Sequence, residues 1–426
     1  MEYVRALIGM LVLLGIAVLF SRSRRSINWR LVLIGVALQI VFAVLLTNVP
    51  PITRGFRAVS EGFVTFINFT MAGAGFLFGP LIDTEDFGTI VAFRVLPTIV
   101  FVSTVSAALY YLGVLQKIVY VLAWVMARTM GLSGSESLSA AGNVLLGQTE
   151  APILVRPFVS KMTQSEIMCL MTGGMATIAG SVLGAYVSFL GKGDTALEAQ
   201  YAAQLLTASL MNAPAGIVMA KILIPETNHE QIDRELKVNK ESIGVNILDA
   251  LSSGASEGLR LALNVGAMLL AFLALIAMVN HLLGWAGHLG SLNEMINSST
   301  NGQFTQLSME YLLGQIFRPI AYAIGVDWNE TLLVGSLLGQ KTALNEFVAY
   351  SNLAQIKETL SERSLVITTF ALCGFSNFSS IAIQIGGIGV MAPNQQATLS
   401  RLGMPALLAA TLACLMTATI AGVLYV

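Results

Sequence analysis

The chain has 426 residues, 55% of them hydrophobic and only 11% charged, with a formal net charge of −1. A soluble domain carries about 25% charged residues, so a mean hydropathy of +0.75 excludes an ordinary water-soluble fold, and the lack of a basic excess excludes a nucleic-acid partner. Cys169, Cys373 and Cys414 sit in apolar runs and His229, His281 and His288 near segment ends, which is neither a disulfide framework nor a zinc pattern; the composition is that of a polytopic integral membrane protein.

Crossing a bilayer takes roughly 20 apolar residues, and residues 3–20 form the first such run. A signal peptide is the alternative, but Glu2 offsets Arg5 and no small-residue cleavage site follows, so a retained helix is expected. The loop at residues 22–30, "RSRRSINWR", holds Arg22, Arg24, Arg25 and Arg30 and no acid. By the positive-inside rule it is cytoplasmic, and the N-terminus lies outside. Residues 31–49 are the second span. Residues 53–79 have apolar positions at helical spacing with early charges on one side, and read as an interfacial helix before a glycine-rich turn. Residues 90–112 form the next span.

From residue 133 the pattern changes. "GNVLLGQTEAP" places Asn143, Gln148, Thr149 and Glu150 together with no adjacent cation. Such a cluster is costly at bilayer depth unless something binds it. Residues 165–190 are long enough to cross but carry Gly173, Gly174, Thr177, Gly180, Ser181 and Gly184, and residues 201–223 close the unit. The charged stretch 226–242 must be solvated. Residues 242–266 read as a second amphipathic helix leading into a span at 261–283, and 290–303 form a polar connector. A second unusual unit follows. Lys341, Asn345 and Glu346 lie within a helical apolar pattern, residues 364–389 form a span broken at 374–380, and residues 405–426 close the chain.

The two units correspond: an acid-bearing segment, a short charged connector, an interrupted span and a final apolar helix. Corresponding interrupted segments in two halves mark inverted repeats in secondary transporters. Breaking a helix in mid-membrane frees backbone groups that must line a protein-buried or watery cavity. Two hairpins meeting two broken helices would bring Gln148, Thr149, Glu150, Asn345, Glu346, Asn377 and Ser380 together there. On the residues alone, the glycines also suit plain helix packing, and Glu150 could pair with Arg156 and Glu346 with Lys341. Two carboxylates disfavour an anionic substrate. Amides suit the heteroatom edges of a neutral compound, and a carboxylate suits a sugar diol. An amino-acid carrier on the same plan remains open, because Arg156 or Lys341 could meet a substrate carboxylate. An intramembrane enzyme lacks a nucleophile–base pair or a metal set.

"GQTEAPILVRPF", "GQKTALNEFVAYSNL" and "CGFSNFSSIAIQIGGIG" resemble the signature stretches of the concentrative nucleoside transporter family, in its bacterial form, and the order of elements is similar across nearly the whole chain. The resemblance implies an all-α fold of eight transmembrane helices, two re-entrant helical hairpins, interfacial helices and two broken helices, assembled as a homotrimer in the cell membrane. It implies a scaffold against which a transport part moves in an elevator-like displacement. Four blocks follow: 1–130 with N-terminal helices, interfacial helix and scaffold part; 131–223 as the first repeat; 224–307 with the charged loop, interfacial helix and scaffold helix; and 308–426 as the second repeat. It further implies a nucleoside such as uridine as substrate. Gln148 and Thr149 would face the base, Glu150 would contribute through water or the cation site, and Val182 and Phe375 would line the base. Glu346, Asn377 and Ser380 would bind ribose. The coupling ion implied is sodium, held by Asn143, Leu146, Thr177 and Ile178, with a proton as the alternative; no other cofactor is implied.

Overall fold

A computed structural model describes residues 2–82, 90–228, 230, 233, 235–236 and 244–425. Among the described residues every regular element is helical. His229 and most of the charged stretch 226–242 lie outside them.

The chain begins with α1 (Glu2–Leu19), α2 (Trp29–Asn48), α3 (Pro50–Asn68) and α4 (Thr70–Phe78). The arginine loop caps α1, since Arg24 donates to the carbonyls of Val18 and Leu19 at 3.1 and 2.8 Å, groups the helix end leaves open. Next come α5 (Val91–Arg94), α6 (Leu96–Tyr111) and α7 (Val114–Met130). Gly113, at φ 73°, turns the chain between the last two.

The first repeat holds α8 (Gly134–Asn143), two single turns α9 (Ala151–Leu154) and α10 (Arg156–Val159), then α11 (Gln164–Ala176), α12 (Gly180–Gly191) and α13 (Thr195–Leu223). Both α8 and α11 open on capping boxes, Ser133 with Glu136 and Thr163 with Glu166, which satisfy first-turn amides without water. After α14 (Ile247–Gly287) and α15 (Leu292–Ser299) the second repeat runs through α16 (Met309–Ala323), α17 (Thr331–Ala343), α18 (Glu346–Ile356), α19 (Glu362–Leu372), α20 (Phe378–Met391) and α21 (Gln396–Leu424).

Eight stretches among the described residues are long and apolar enough to cross a bilayer. Seven of them coincide with runs expected from sequence, and the eighth does not. α3, α4 and the turn after them make one such stretch, Pro50–Ile82. The interrupted span at 364–389 divides into α19 and α20, each too short to count alone. The expected amphipathic helix at 242–266 is continuous with its span: α14 has 41 residues, about 60 Å at 1.5 Å per residue, twice the hydrocarbon thickness.

The closing helices α13 and α21 pack together at the centre, with α11 and α19 against them. The N-terminal block divides: α1 lies on α21 and α2 on α13, whereas α6 pairs along its length with α14. Gly254 and Gly258 allow that pairing, because a Cβ at either would meet Ser103 or Val100 at 2.8–2.9 Å, the small-residue spacing of close membrane-helix contacts. α11, α12, α13 and α21 are buried nearly throughout, while α1, α2 and α14 keep apolar side chains exposed.

Candidate binding site at the helix breaks

Both interrupted spans are broken where glycine and hydroxyl residues stand. The first leaves helical geometry at Thr177, which is extended at φ −111° and ψ 172°, and resumes at Gly180. The second leaves it at Cys373 and resumes after Asn377. The freed backbone is satisfied inside the protein. Gly180 N–H donates to Leu145 O at 3.1 Å, and Phe375 N–H to Thr177 O at 3.3 Å, so the two breaks touch. Asn212 of α13 donates to Ala176 O at 2.8 Å and to Cys373 O at 2.7 Å.

The chain doubles back before each break. α8 descends to a tip at Val144–Glu150 and returns through α9 and α10; α17 and α18 meet at Leu344 and Asn345. Asn345 caps α18, accepting from Val348 N–H at 3.0 Å, and Asn377 caps α20, accepting from Ser380 N–H at 2.9 Å. The positive ends of α18 and α20 therefore meet at Glu346, the first residue of α18.

Between these tips and breaks lies a cavity of about 150 Å³, lined among others by Gln148, Thr149, Glu150, Val182, Glu346, Phe375, Asn377 and Ser380. All eight residues expected to face a substrate share this one wall. Glu346 is 3% exposed. Its Oε1 accepts from Tyr186 O–H at 2.9 Å and its Oε2 from Asn377 Nδ2 at 2.8 Å. A carboxylate has about four acceptor sites, so Glu346, which also accepts from its own backbone N–H, keeps acceptor capacity beyond these bonds. Gln148 Nε2 donates to Ser380 Oγ at 3.0 Å, and Gly147 N–H donates to Glu150 at 3.4 Å. Lys341 does not pair with Glu346: its Nζ donates to Ala371 O at 2.8 Å. No lysine, arginine or histidine among the described residues lines the cavity.

The four residues expected at a cation lie just behind this wall. Asn143 is the last residue of α8, and its carboxamide sits over Gly173, where a Cβ would meet Nδ2 at 3.0 Å. Gly173 is one helical turn before Thr177, whose Oγ1 donates back to it at 2.9 Å. Both side-chain polar atoms of Asn143 are buried without a partner among the described residues, and so is Ser181 Oγ. Leu146 and Ile178 are buried on the tip and at the break. An unsatisfied amide in such a place is costly, and an amide oxygen is a ligand of the kind a hard cation takes.

Several site residues were not anticipated. Tyr186 follows Val182 by one turn of α12 and stacks on Tyr350, with ring centroids 4.5 Å apart; that spacing was the available signal. Leu261, Val265 and Met268 of α14 complete the wall at helical spacing, but from Leu261 on α14 is apolar on nearly every face, so nothing in the sequence distinguished them.

A cavity enclosed by two hairpin tips and two broken helices, inside a bundle of bilayer-length apolar helices, defines a polytopic membrane carrier. Residues 8–81 and 204–422 match the models for the N-terminus and C-terminus of the Na+ dependent nucleoside transporter, and residues 92–193 match a nucleoside recognition model. An uncharacterized transporter of Haemophilus influenzae is 42% identical over 99% of this chain and 98% of its own. Sodium/nucleoside cotransporter 1 of Rattus norvegicus is 38% identical over 98% of this chain and 63% of its own. The solved structure of CNTnw in an inward-facing substrate-bound state superposes with a TM-score of 0.88 at 39% identity, covering 100% of this chain and 98% of that one. The chain belongs to the Na+ dependent nucleoside transporter family, a family of membrane cotransporters and not of enzymes.

Proposed function

We propose that this protein carries nucleosides such as uridine into the cell in symport with sodium. One observation carries the reading: the eight residues expected to face a nucleoside line one cavity whose lining, among the described residues, holds two carboxylates and no basic side chain. Glu346 retains acceptor sites for a ribose diol, with Asn377 and Ser380 beside it. Gln148 and Thr149 offer amide and hydroxyl edges to the base, Glu150 acts through water or near the cation, and Val182 and Phe375 flank the ring. A carrier of amino acids would need a positive partner for the substrate carboxylate, and neither Lys341 nor Arg156 is among the residues lining the cavity.

Sodium is assigned to Asn143, Thr177 and the carbonyls of Leu146, Thr177 and Ile178. The support is the unpartnered amide of Asn143 beside a helix break. Because this site and Gln148 share one hairpin tip, sodium binds first and orders the nucleoside site. The hairpins are taken as re-entrant, and the repeats at 131–223 and 308–426 as the moving part, with α1 and α2 carried along. The scaffold, and the trimer contact, belong to α6 and α14 in the blocks 1–130 and 224–307. The wall that α14 offers to the cavity is apolar at Leu261, Val265 and Met268, which suits a surface past which the transport part slides. Similar solved structures are described in inward-facing, outward-facing and intermediate states, which supports an elevator-like cycle. The arginine loop at 22–30 is assigned to the cytoplasm of a bacterial inner membrane and the N-terminus to the outside.

Uptake of labelled uridine and of a labelled neutral amino acid into proteoliposomes, with and without a sodium gradient, tests the reading. Uridine uptake driven by sodium is expected. Uptake driven only by a pH gradient would reassign the ion, and uptake of the amino acid alone would reassign the substrate.

A further inference from the structure

Gln384 lies on α20, one turn beyond Ser380, and is 1% exposed. Its Nε2 donates to the backbone carbonyl of Met171 at 3.1 Å and to Gln148 Oε1 at 3.3 Å. Met171 O can only accept, so it fixes which end of the Gln384 amide faces α11. Reversing Gln384 would set oxygen against oxygen. With its nitrogen so placed, Gln384 requires Gln148 to turn its oxygen inward. The Gln148 nitrogen is then presented to the cavity side, where one of its hydrogens reaches Ser380 Oγ at 3.0 Å and the other is free. Space for this chain of contacts is kept by Gly174, since a Cβ there would press on Gln384 Nε2 at 2.5 Å and Gln148 Cβ at 3.0 Å. Gln384 Oε1 is buried without a partner among the described residues, so its two donations alone hold the side chain.

We propose that Gln384 is a specificity-setting positioning residue: by locking the amide of Gln148 it makes the base end of the cavity a hydrogen-bond donor, selective for nucleosides that present an acceptor there, such as the 4-oxo group of uracil, over those that present an amino group, such as cytosine. This rests on the reading of Gln148 as a base contact. Without the lock, Gln148 is free to turn over and offer either end, and the selectivity vanishes while binding remains.

The test compares uridine, cytidine and the riboside of pyrimidin-2-one, which lacks the 4-substituent, by calorimetry on the purified protein in saturating sodium. Wild type is expected to bind uridine about three- to tenfold more tightly than either, the worth of one neutral hydrogen bond. In Gln384→Met, of similar volume, the uridine-to-cytidine ratio should fall to within about twofold, mainly through loss of uridine affinity. A wild type that favours cytidine, or a folded Gln384→Met that keeps the wild-type ratio, overturns the proposal. Should Gln384→Met not fold, Gly174→Ala decides: its Cβ presses on Gln384 Nε2 and should lower the uridine-to-cytidine ratio likewise, and an unchanged ratio counts against the lock. Gln148→Ala separates the two levels of inference. If it leaves all three affinities unchanged, Gln148 is no base contact and the parent reading fails, whereas reduced affinities with an intact ratio in Gln384→Met sink only the lock.

Discussion

Asn212 holds Cys373: its side-chain nitrogen donates to the Cys373 carbonyl at 2.7 Å while also donating to Ala176 O at 2.8 Å. These are the terminal carbonyls of the two half-helices α19 and α11. One amide on α13 thus closes both breaks. Cys414, at the middle of the matching helix α21, places its Sγ 3.4 Å from the same two carbonyls, but a thiol is a weak donor with a single hydrogen. The repeats are joined back to back by an unequal pair.

Asn212→Leu strands two buried carbonyls, at about 1–3 kcal/mol each. A clear fall in melting temperature in detergent is expected, together with loss of uridine binding, because the breaks carry the cavity wall. Cys414→Ala should leave melting nearly unchanged. Thermal melts of both variants, side by side, check the ranking; equal effects would show that the thiol shares the load.

At Glu346 the expected outcome is on affinity. Both carboxylate oxygens already accept one hydrogen bond, from Tyr186 and Asn377, so the side chain is oriented before substrate arrives. Glu346→Gln replaces two acceptor oxygens by one and puts an amide nitrogen, a donor only, in place of the other. Hydrogen bonds to a charged group are worth about 1.5–3 kcal/mol, so uridine affinity should fall about 10- to 100-fold. Tyr186→Phe removes only the orienting bond and should cost about three- to tenfold. Uridine titrations of both variants, with Cys414→Ala as the reference, measure the order; a Glu346→Gln no weaker than Cys414→Ala would remove Glu346 from the site.

How much of this could be read from the sequence follows from which residues announce themselves. Acids and amides clustered in motifs beside a helix break are conspicuous, so the sequence alone points Gln148, Glu346 and Asn377 to the cavity lining. The helix breaks were legible for the same reason at Thr177 and at 374–380. Tyr186, Asn212 and Gln384 were not. Each sits inside a helical run away from the break itself, and each acts by reaching an atom far away in the chain: Tyr186 to Glu346, Asn212 to Cys373, Gln384 to Gln148 and Met171. Periodicity reports the face of a helix, not what stands opposite it. Continuity was legible in one place, since the amphipathic stretch at 242–266 reads as leading into its span and α14 runs on through both.

Acid is expected to loosen the loop end of the first repeat. Glu226 lies beyond α13, and burial alone would raise its carboxyl. The hydrogen bond from Thr163 Oγ1 at 2.7 Å, the amides of Thr227 and Asn228 at 3.0 and 2.8 Å, and the Lys221 ammonium 3.9 Å away outweigh this and hold it below the usual carboxylate value. A depressed native value contributes stability above the unfolded value, near pH 4, and loses it as pH falls through the native one. Wild-type melting should therefore drop on acidification through that range, and Glu226→Gln should flatten the drop while melting lower at pH 7. A wild-type profile identical to that of Glu226→Gln would show that Glu226 ties down nothing.

The proposed sodium dependence turns on Asn143. Its carboxamide has no partner among the described residues for either end, which is hard to sustain unless the oxygen meets a cation in the working protein. It closes α8 within the hairpin whose tip carries Gln148, so a cation held there stiffens the tip that faces the base. Asn143→Ala removes the only side-chain amide of the proposed donor set but leaves the carbonyls of Leu146, Thr177 and Ile178. The sodium concentration for half-maximal uridine uptake should rise by about tenfold or more, the worth of a charged-group contact. At saturating sodium, uridine affinity should recover, because the variant keeps the nucleoside contacts. Uptake measured against sodium at fixed uridine, then against uridine at fixed sodium, separates the two constants. A variant with unchanged sodium dependence and impaired uridine affinity would place Asn143 with the substrate instead, and a wild type whose uridine affinity ignores sodium would remove the ordering step from the cycle.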